Sequence, residues 1–514
     1  MHWADVIAEN IVEKCEEPLI ATGISPTGII HVGSLREAIT GESVRSAVEG
    51  LGKNVRLIYL IDSYDPLRRR YDFLPEDFEQ YVGMPISEFP CPCGKHKNYA
   101  HHYVQPFLDA VDSLGVQCEI IWTHELYEKG LFAETIDMTM KKREQVIKIL
   151  SEVSGKEENP DYAPYTPICS ACGRFTQPIL DSYEFPYIDY DCNCGNSGRA
   201  DVRKGEGKLT WRCEWPAKWK IFGVSAEPFG KDHAAAGGSY DTGVRIVEEI
   251  YEGAAPYPIP YEFVQLKGVG QMHKSLGSPV TGLDAINMTP PEVLNYLFLR
   301  VNPSRAIDYD SSMGVLDMAD EYDRMERLFF EGGFTEAEED SVRAYEIAQH
   351  NRTPEKLPTQ ISYRHLVNIA QMAPTFEGVL EILRRNEDLS DMTPAETKRL
   401  AKRVECVRYW LNGFAPDMVK FSVSNTVPPG IELSMSEKVF LQTLAVQLYD
   451  CRWDADTIGS TIADTAKESP IGLKGGYRTM YRILIGKKSG PRLGTFLADM
   501  DKSFVINRVI QASN

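Results

Sequence analysis

The sequence predicts an α/β fold in which a parallel sheet of Rossmann type is interrupted by an insertion and followed by an all-α C-terminal domain. Three observations predict it. Strand-like and helix-like segments alternate near the N-terminus, cysteine pairs interrupt that alternation, and only amphipathic helical segments follow it. The 514 residues also exceed one ordinary core, since a domain typically takes about 100–200 residues.

The first alternation has the pattern of a βαβ unit. EPLIATGI, from Glu17, is typical of a short buried strand; SPTGII is turn-rich; HVGSLREAITGESVRSAVEGLG has apolar residues at near-helical spacing; and NVRLIYLID is a second strand. This order favours a right-handed crossover in a parallel sheet. We assign residues 1–84 to the first half of the sheet domain.

The later segments divide into three parts. From about Pro85 to Thr210 the pattern gives way to cysteine pairs and prolines, with one helical segment around Glu134–Val153, so we interpret 85–210 as a connective insertion outside the sheet. The α/β rhythm returns in 211–317, at VSAEPFGKDHAAAGGSYDTG and PIPYEFVQLKG. Residues 318–514 contain amphipathic segments such as PAETKRLAKRVECVRYWLNGF and SEKVFLQTLAVQLYD, and we expect a helical domain there.

Composition limits the classes of function. A net charge of −19 argues against a surface coated for nucleic-acid binding, although local basic tracks on an acidic body can still hold RNA. The N-terminal segment MHWADVIAENIVEKCEE resembles neither a signal peptide nor an anchor, and no apolar span is long enough for a bilayer. The 11 cysteines suit reduced, metal-binding thiols. We therefore expect a cytoplasmic protein with no membrane partner.

A first candidate site lies at the turn Pro26–Ser34, between the first strand and its helix. Ligands of open α/β sheets bind at this edge, and a helix N-terminus offers free amides and a positive dipole to phosphates. Gly33 would permit close approach to the backbone, and His31 would donate to phosphate oxygens. For an isolated H-x-G the plainer alternative is a turn glycine beside a capping histidine.

A second candidate is the glycine-flanked loop Gly268–Ser278, which follows an apolar strand. Lys274 and Ser275 on such a loop could close over a triphosphate, where Lys274 would offset the charge of the departing pyrophosphate. Alone the signal is weak, because lysines on glycine loops are usually only solvated.

Together, the two segments resemble the paired signatures of class I aminoacyl-tRNA synthetases, written HIGH and KMSKS. The runs Trp211–Gly243, Tyr261–Gly268 and Ala21–Ile39, with GPRLGTFLADMDKSFVI near the C-terminus, resemble the archaeal-type class I lysyl-tRNA synthetases. Two departures stand out: Ser34 takes the second histidine position of HIGH, and Gln271 and His273 replace a lysine and a serine of KMSKS.

The resemblance implies a lysine–tRNA ligase with a nucleotide-binding sheet domain. Such an enzyme uses ATP with Mg²⁺ to convert L-lysine to lysyl-adenylate, and transfers it to tRNA(Lys) with release of AMP and diphosphate. We expect a monomer. The alternatives are a glutamate-type class I synthetase, a nucleotidyltransferase on the same sheet, and a catalytically weak paralogue that only holds tRNA.

Site residues follow by position. The resemblance places His31, Gly33, Ser34, Asp232, Lys274 and Ser275 at ATP, with His31 and Lys274 stabilising the transition state. It places Gly23, Ser25, Trp219 and His233 at the lysine, with Trp219 as an aromatic wall. A buried ammonium also needs a carboxylate or oriented dipoles. Asp62 and Asp65 end the second strand and are candidates, although strand-end capping explains them equally well.

Two cysteine-rich segments predict metal sites. Cys169, Cys172, Cys192 and Cys194 form two tight pairs, each followed by glycine, which is typical of a structural tetrahedral Zn²⁺ site. Cys91, Cys93 and nearby histidines form a second candidate, for which the resemblance points to His96 and His102. Those histidines would otherwise face tRNA or solvent. Neither site is expected to be catalytic.

Basic residues interleave with aromatics in two C-terminal clusters. They are Lys398, Arg399, Lys402, Arg403, Arg408 and Trp410, and then Lys474, Tyr477, Arg478, Tyr481, Arg482, Lys487, Lys488 and Arg492. Such clusters can hold phosphates while rings stack on anticodon bases, although solvated charges with core aromatics are the plainer explanation of either cluster alone. The resemblance implies that residues 318–514 read the anticodon.

Overall fold

The computed structural model describes residues 1–268, 270–271, 280–350 and 352–514. The chain divides into two compact units. The first contains Met1–Ile286, Pro291–Asp310 and Met325–Glu355, and the second contains Asn287–Pro290, Ser311–Arg324 and Lys356–Asn514.

The strands of the described residues all precede residue 310. They are β1 (Leu19–Ile24), β2 (Arg56–Ile61), β3 (Glu119–Trp122), β4 (Tyr165–Pro167), β5 (Gln177–Pro178), β6 (Tyr187–Asp191), β7 (Ser197–Asp201), β8 (Gly207–Leu209), β9 (Ala226–Gly230), β10 (Tyr257–Tyr261), β11 (Val264–Leu266), β12 (Gly270–Gln271) and β13 (Ile307–Tyr309).

The α-helices extend along the whole chain. The first twelve are α1 (Trp3–Val12), α2 (Leu35–Gly50), α3 (Tyr99–Ser113), α4 (Thr123–Glu128), α5 (Ala133–Lys141), α6 (Arg143–Ser154), α7 (Trp211–Phe222), α8 (Ser239–Arg245), α9 (Gly282–Met288), α10 (Pro291–Leu299), α11 (Gly314–Glu331) and α12 (Glu339–Ala348). The others are α13 (Tyr363–Met372), α14 (Phe376–Leu383), α15 (Pro394–Gly413), α16 (Met435–Asp450), α17 (Ala455–Glu468), α18 (Gly472–Ile485), α19 (Leu493–Ala498) and α20 (Lys502–Ser513).

A five-stranded parallel sheet forms the centre of the first unit, in the order β10-β9-β1-β2-β3. Strands β1 and β2 pair residue for residue, from Leu19 opposite Arg56 to Ile24 opposite Ile61. Their apolar runs are buried because helices cover the faces of a parallel sheet. The predicted parallel α/β fold is confirmed.

The strand order places a topological switch point between β1 and β9. From β1 the chain crosses through α2 to β2 on one side, whereas β9 pairs on the other side of β1. Helix α2 lies close on the sheet, because a Cβ added at Gly41 would lie 2.7 Å from the Thr22 side chain. A crevice therefore opens beyond the carboxyl ends of β1 and β9, where ligands of this fold bind.

The predicted insertion differs from the structure in one respect. Residues 85–210 contain four helices and six strands, and one of those strands, β3, joins the main sheet by pairing parallel with β2. β3 is a four-residue edge strand whose side chains are exposed or only partly buried. It therefore lacks the continuous apolar run by which the other sheet strands were recognised.

The other five strands of residues 85–210 form short antiparallel pairings. β4 pairs with β8, and β5, β6 and β7 form a small sheet. Two of these strands border the cysteine pairs, since Cys192 follows β6 and Cys169 follows β4.

The second unit is mainly helical, as the sequence predicted for the C-terminal part. Helices α16 to α20 share an apolar core that includes Phe440, Leu444, Ile462, Leu484 and Val509, all 1% exposed or less. α15 and α16 begin with capping boxes, Thr393 with Glu396 and Ser434 with Glu437. None of the helices in the described part of the chain is long and apolar enough to cross a membrane.

Candidate active site

A cavity of about 660 Å³ lies in the first unit at the carboxyl ends of β1, β2 and β9. Most of the predicted ATP and lysine residues among the described ones line it, namely Gly23, Ser25, His31, Gly33, Ser34, Asp62, Asp65, Asp232 and His233. Lys274 and Ser275 lie outside the described residues. Residues far apart in sequence thus converge on one crevice at the switch point.

The H-x-G turn forms one wall of this cavity. His31 has extended backbone geometry and precedes a 3₁₀ turn, Val32–Ser34, which leads directly into α2. A Cβ added at Gly33 would lie 2.9 Å from Nδ1 of His31, so the glycine is needed for the imidazole to pack across the turn. The turn therefore places the imidazole of His31 beside the N-terminal end of a 16-residue helix, where anions bind favourably.

Both flanks of the second predicted loop are anchored beside this turn. On one side β12 pairs with β11, whose Val264 lines the cavity. On the other side Thr281 bridges His31, and the amide of Val32 donates to the carbonyl of Val280 at 3.2 Å. The segment that contains Lys274 thus starts and ends next to the cavity wall.

Two aspartates in the cavity are already paired with lysines. Nζ of Lys208 lies 2.7 Å from Oδ1 of Asp65, and Lys218 forms an ion pair with Asp62. Ser25 also donates to Asp65, at 2.7 Å. Burial raises the pKa of Asp65, but Lys208 and Ser25 outweigh it and hold that pKa below its usual range. Either aspartate would therefore have to interact with its lysine and with any bound cation at the same time.

Lys208 lies in β8, within the predicted insertion, and contacts residues beside β2 and in α7. Besides Asp65, at the end of β2, its ammonium contacts Oε2 of Glu214 in α7 at 2.8 Å. Burial alone would lower the pKa of Lys208, but the facing carboxylates raise it. The lysine is therefore charged at any physiological pH.

Glu227 is a cavity residue that the sequence reasoning missed. It is the second residue of β9, and its carboxylate accepts hydrogen bonds from the indole nitrogens of Trp215, at 2.9 Å, and Trp219. Burial raises the pKa of Glu227 to about 8, against the weaker opposing effect of the two indoles. The spacing of Trp211, Trp215 and Trp219 along one helix face is the sequence feature that could have indicated indole donors on one side of the helix.

The aromatic wall differs from the one predicted. Trp219 does not line the cavity; it is 1% exposed and packs behind Trp215, with ring centroids 4.9 Å apart. Trp211 and Trp215 line the cavity instead, and His233 packs against both at 5.2 and 5.6 Å. The i, i+4, i+8 spacing puts all three tryptophans on one side of α7. Trp219, one turn further along the helix than Trp215, packs behind Trp215 and does not reach the cavity.

The first cysteine cluster has the dimensions of a tetrahedral zinc site. Cys169, Cys172, Cys192 and Cys194 place their sulfurs within 4.8 Å of one another, with 3.7 Å between Cys169 and Cys194 and 3.6 Å between Cys172 and Cys192. Zinc–sulfur bonds of about 2.3 Å in a tetrahedron separate the sulfurs by about 3.8 Å. The four thiols therefore fit a zinc ion.

The second cluster fits a mixed sulfur and imidazole site. Cys91, Cys93, His96 and His102 also lie within 4.8 Å of one another, and the Nδ1 atoms of both histidines lie 3.3 Å from Sγ of Cys93. His101 is outside this group, because it stacks on Trp122 at 3.9 Å. Tyr99, at the start of α3, donates to the carbonyl of Thr27 in the cavity wall.

The C-terminal basic clusters are only partly exposed. In α15, Arg403 is 4% exposed and pairs with Asp323 at 2.7 Å, and Trp410 is a core residue. In the later cluster Arg482 pairs with Glu437. The exposed cations of that cluster are Lys474, Arg478, Lys488 and Arg492. The aromatic residues therefore serve mainly the core, and the exposed charges of the two clusters are Lys398 of α15 and the four cations around α18.

The first unit has a parallel sheet, an H-x-G turn at its switch point, and the flanks of the second loop beside that turn. These are the features of the catalytic domain of a class I aminoacyl-tRNA synthetase. The family model described as "tRNA synthetases class I (K)" matches residues 1–351, and the chain belongs to that family.

Several full-length relatives are named lysine–tRNA ligase. The chain is 38% identical to "Lysine--tRNA ligase" of Archaeoglobus fulgidus, with 99% of each chain covered. It is 39% identical to "Lysine--tRNA ligase 1" of Methanosarcina acetivorans (100% of this chain and 98% of that protein) and to "Lysine--tRNA ligase" of Methanocaldococcus jannaschii (99% of each). A solved glutamate tRNA ligase from Elizabethkingia meningosepticum aligns with a TM-score of 0.44 at 13% identity, over 96% of this chain and 99% of that one.

Proposed function

We propose that this protein is a lysine–tRNA ligase, which activates L-lysine with ATP and transfers it to tRNA(Lys). One observation carries the proposal. The cavity at the switch point of a class I synthetase sheet is bordered both by the H-x-G turn and by the anchored ends of the second loop, in a chain that matches lysine–tRNA ligases over its full length.

The proposed chemistry has two steps. A carboxylate oxygen of lysine attacks the α-phosphorus of ATP, the bond from that phosphorus to the bridging oxygen breaks, and diphosphate leaves. A ribose hydroxyl of the terminal adenosine of tRNA then attacks the acyl carbon, and AMP leaves. Positioning and charge stabilisation supply the catalysis, and no side chain forms a covalent intermediate.

The proposed roles follow the cavity walls. His31, Gly33 and Ser34 hold the phosphates at the N-terminal end of α2. The exposed carboxylate of Asp232 accepts hydrogen bonds from the ribose hydroxyls. Lys274 and Ser275 complete the phosphate site from the second loop, which the anchoring of its flanks beside His31 supports. Gly23, Ser25 and His233 line the amino-acid side. Mg²⁺ would neutralise the triphosphate.

The metal clusters have structural roles in this proposal. Cys169, Cys172, Cys192 and Cys194 would hold one Zn²⁺, and Cys91, Cys93, His96 and His102 a second, because both groups have suitable donor atoms and spacings. The exposed cations around α18 contact the tRNA, and the helical unit reads the anticodon. The protein acts in the cytoplasm as a monomer.

Exchange of labelled pyrophosphate into ATP tests the proposal. Each amino acid is supplied in turn with Mg²⁺ and tRNA, because some enzymes of the glutamate type activate their amino acid only with tRNA present. We expect exchange with lysine alone. Exchange with glutamate would support the glutamate-type alternative, and tight tRNA binding without any exchange would support the non-catalytic paralogue.

A further inference from the structure

We propose that a second copy of this chain docks on an exposed face of the second unit, which we call the α16 stripe. The α16 stripe consists of five residues on one side of that helix, namely Met435, Val439, Gln442, Val446 and Tyr449. Two copies pair through it reversibly and antiparallel. The active-site cavity lies within the first unit of one chain, so the single chain remains the catalytic species and the pairing does not depend on the proposed function.

Helix α16 has apolar residues on two opposite sides. One side packs into the core of the second unit, where Leu444 and Leu448 are both 0% exposed. The opposite side is the α16 stripe, whose four apolar members are between 48% and 76% exposed. A helix that is apolar on both sides is normally covered on both, and a contiguous apolar patch on a surface marks a place where a partner binds.

Charge is nearly absent from this part of the surface. Helix α20 lies beside α16 and runs antiparallel to it, since Lys438 donates to the backbone oxygen of Asn514 and Lys502 to that of Cys451. Among the exposed residues of α16 and α20, all of which the structure describes, only Asp450 is charged. By contrast, four of the five exposed residues of α17 are charged. Depletion of charge is typical of the core of a protein interface and does not suit nucleic-acid phosphates.

The spacing of the α16 stripe is the same from either end. Its members follow one another at steps of four, three, four and three residues, with Gln442 at the centre. An antiparallel second copy therefore brings its Val446 opposite Val439. Its Tyr449 falls opposite Met435, and Gln442 meets Gln442 at the twofold axis, where the two side-chain amides can donate to each other. Antiparallel helices also place opposite ends of their dipoles together. A second copy thus fits the stripe along its whole length.

A cavity at one end of the stripe suits the side chain at the other end. The cavity has a volume of about 520 Å³ and is lined by Val427, Ile431 and Lys438 among other residues. Lys438 is less than one turn of α16 from Met435. In the antiparallel pair the exposed ring of Tyr449 from the second copy therefore lies beside this cavity, and the twofold symmetry forms the contact twice.

The area of the face sets the expected affinity. α16 has 16 residues and is about 24 Å long, and with α20 beside it the face is about 20 Å wide, so each copy covers about 500 Å². A total of about 1,000 Å² is near the lower limit for a specific protein interface. We therefore expect a reversible dimer with a dissociation constant of about 1–100 μM.

Sedimentation equilibrium of the full chain without tRNA, over concentrations that bracket this range, tests the pairing. The apparent mass should rise from that of one chain toward that of two. Val446→Glu places a charge against apolar side chains on both sides of the twofold axis and should raise the dissociation constant by about 100-fold or more. Met418→Glu is the control, because Met418 is 79% exposed in the same unit but lies outside α16 and α20. The mass of one chain at every concentration, or pairing that survives Val446→Glu, overturns the inference.

A mixing experiment tests the antiparallel arrangement. Val439→Lys and Val446→Glu should each stay monomeric alone, because the introduced charge faces a valine of the second copy. Mixed in equal amounts they should form a one-to-one pair, because the new ammonium of one lies opposite the new carboxylate of the other. Both positions are largely exposed, at 48% and 64%, so both variants should keep the wild-type circular dichroism. A mixture that stays monomeric, under conditions in which the wild type pairs, contradicts the docking of a second copy in this register.

Discussion

The substitution Lys208→Met removes a buried cation from between two carboxylates. Its ammonium lies 2.7 Å from Asp65 and 2.8 Å from Glu214, and the three side chains are 7%, 14% and 0% exposed. Breaking a buried ion pair in this way costs about 3–5 kcal/mol, because the remaining charge has no partner. We expect the first unit to lose about that much free energy of unfolding.

Urea unfolding followed by tryptophan fluorescence measures this loss, since Trp211, Trp215 and Trp219 lie on the same helix as Glu214. Lys204→Met is the control: Lys204 is 65% exposed and lies 3.6 Å from Asp201, where a surface pair contributes about 0–1 kcal/mol.

The pH dependence of the unfolding free energy is an independent check on the ion pairs of Lys208. The pKa of Asp65 is lowered in the folded wild type, so its stabilising contribution is present above the unfolded pKa and is lost as pH falls through the folded one. In Lys208→Met the unpaired carboxylates can take up protons. The difference from wild type should therefore be larger at pH 8 than at pH 5. If Lys208→Met unfolds at the same urea concentration as Lys204→Met, the bridging role of Lys208 is refuted.

Two further predictions concern the cavity and the cysteines. Gly33→Ala should lower kcat/KM for ATP by about 100-fold by displacing the neighbouring imidazole, whereas Gly50→Ala, which meets no atom within 4 Å, should not. Cys172→Ser should lower the zinc content measured by atomic absorption by one equivalent, and Cys118→Ser should leave it unchanged.

Local patterns were enough to predict the parallel sheet, the helical C-terminal part and the H-x-G turn. Each depends on residues adjacent in sequence: an apolar run for β1 and β2, a periodic face for α16, and small residues for the turn. β3 was missed because EIIW is short and lies at an exposed edge, where a strand needs no continuous apolar run.

The charge pairs of the cavity could not be predicted in the same way. Lys208 and Asp65 are 143 residues apart, and Lys218 and Asp62 are 156 apart, so no local spacing connects them. Both aspartates were sensible candidates for a substrate ammonium while their partners were unknown. Only the tertiary structure gives each of them an internal lysine and leaves Glu227 with neutral donors.

Attachment of radiolabelled lysine to tRNA(Lys), with AMP counted in the same reaction, tests the central claim most directly. We predict one AMP formed per lysine esterified to tRNA, and loss of both products in His31→Ala. If the folded protein binds that tRNA and ATP but never esterifies lysine to the tRNA, the claim that the cavity at the switch point is the active site of a lysine–tRNA ligase is contradicted.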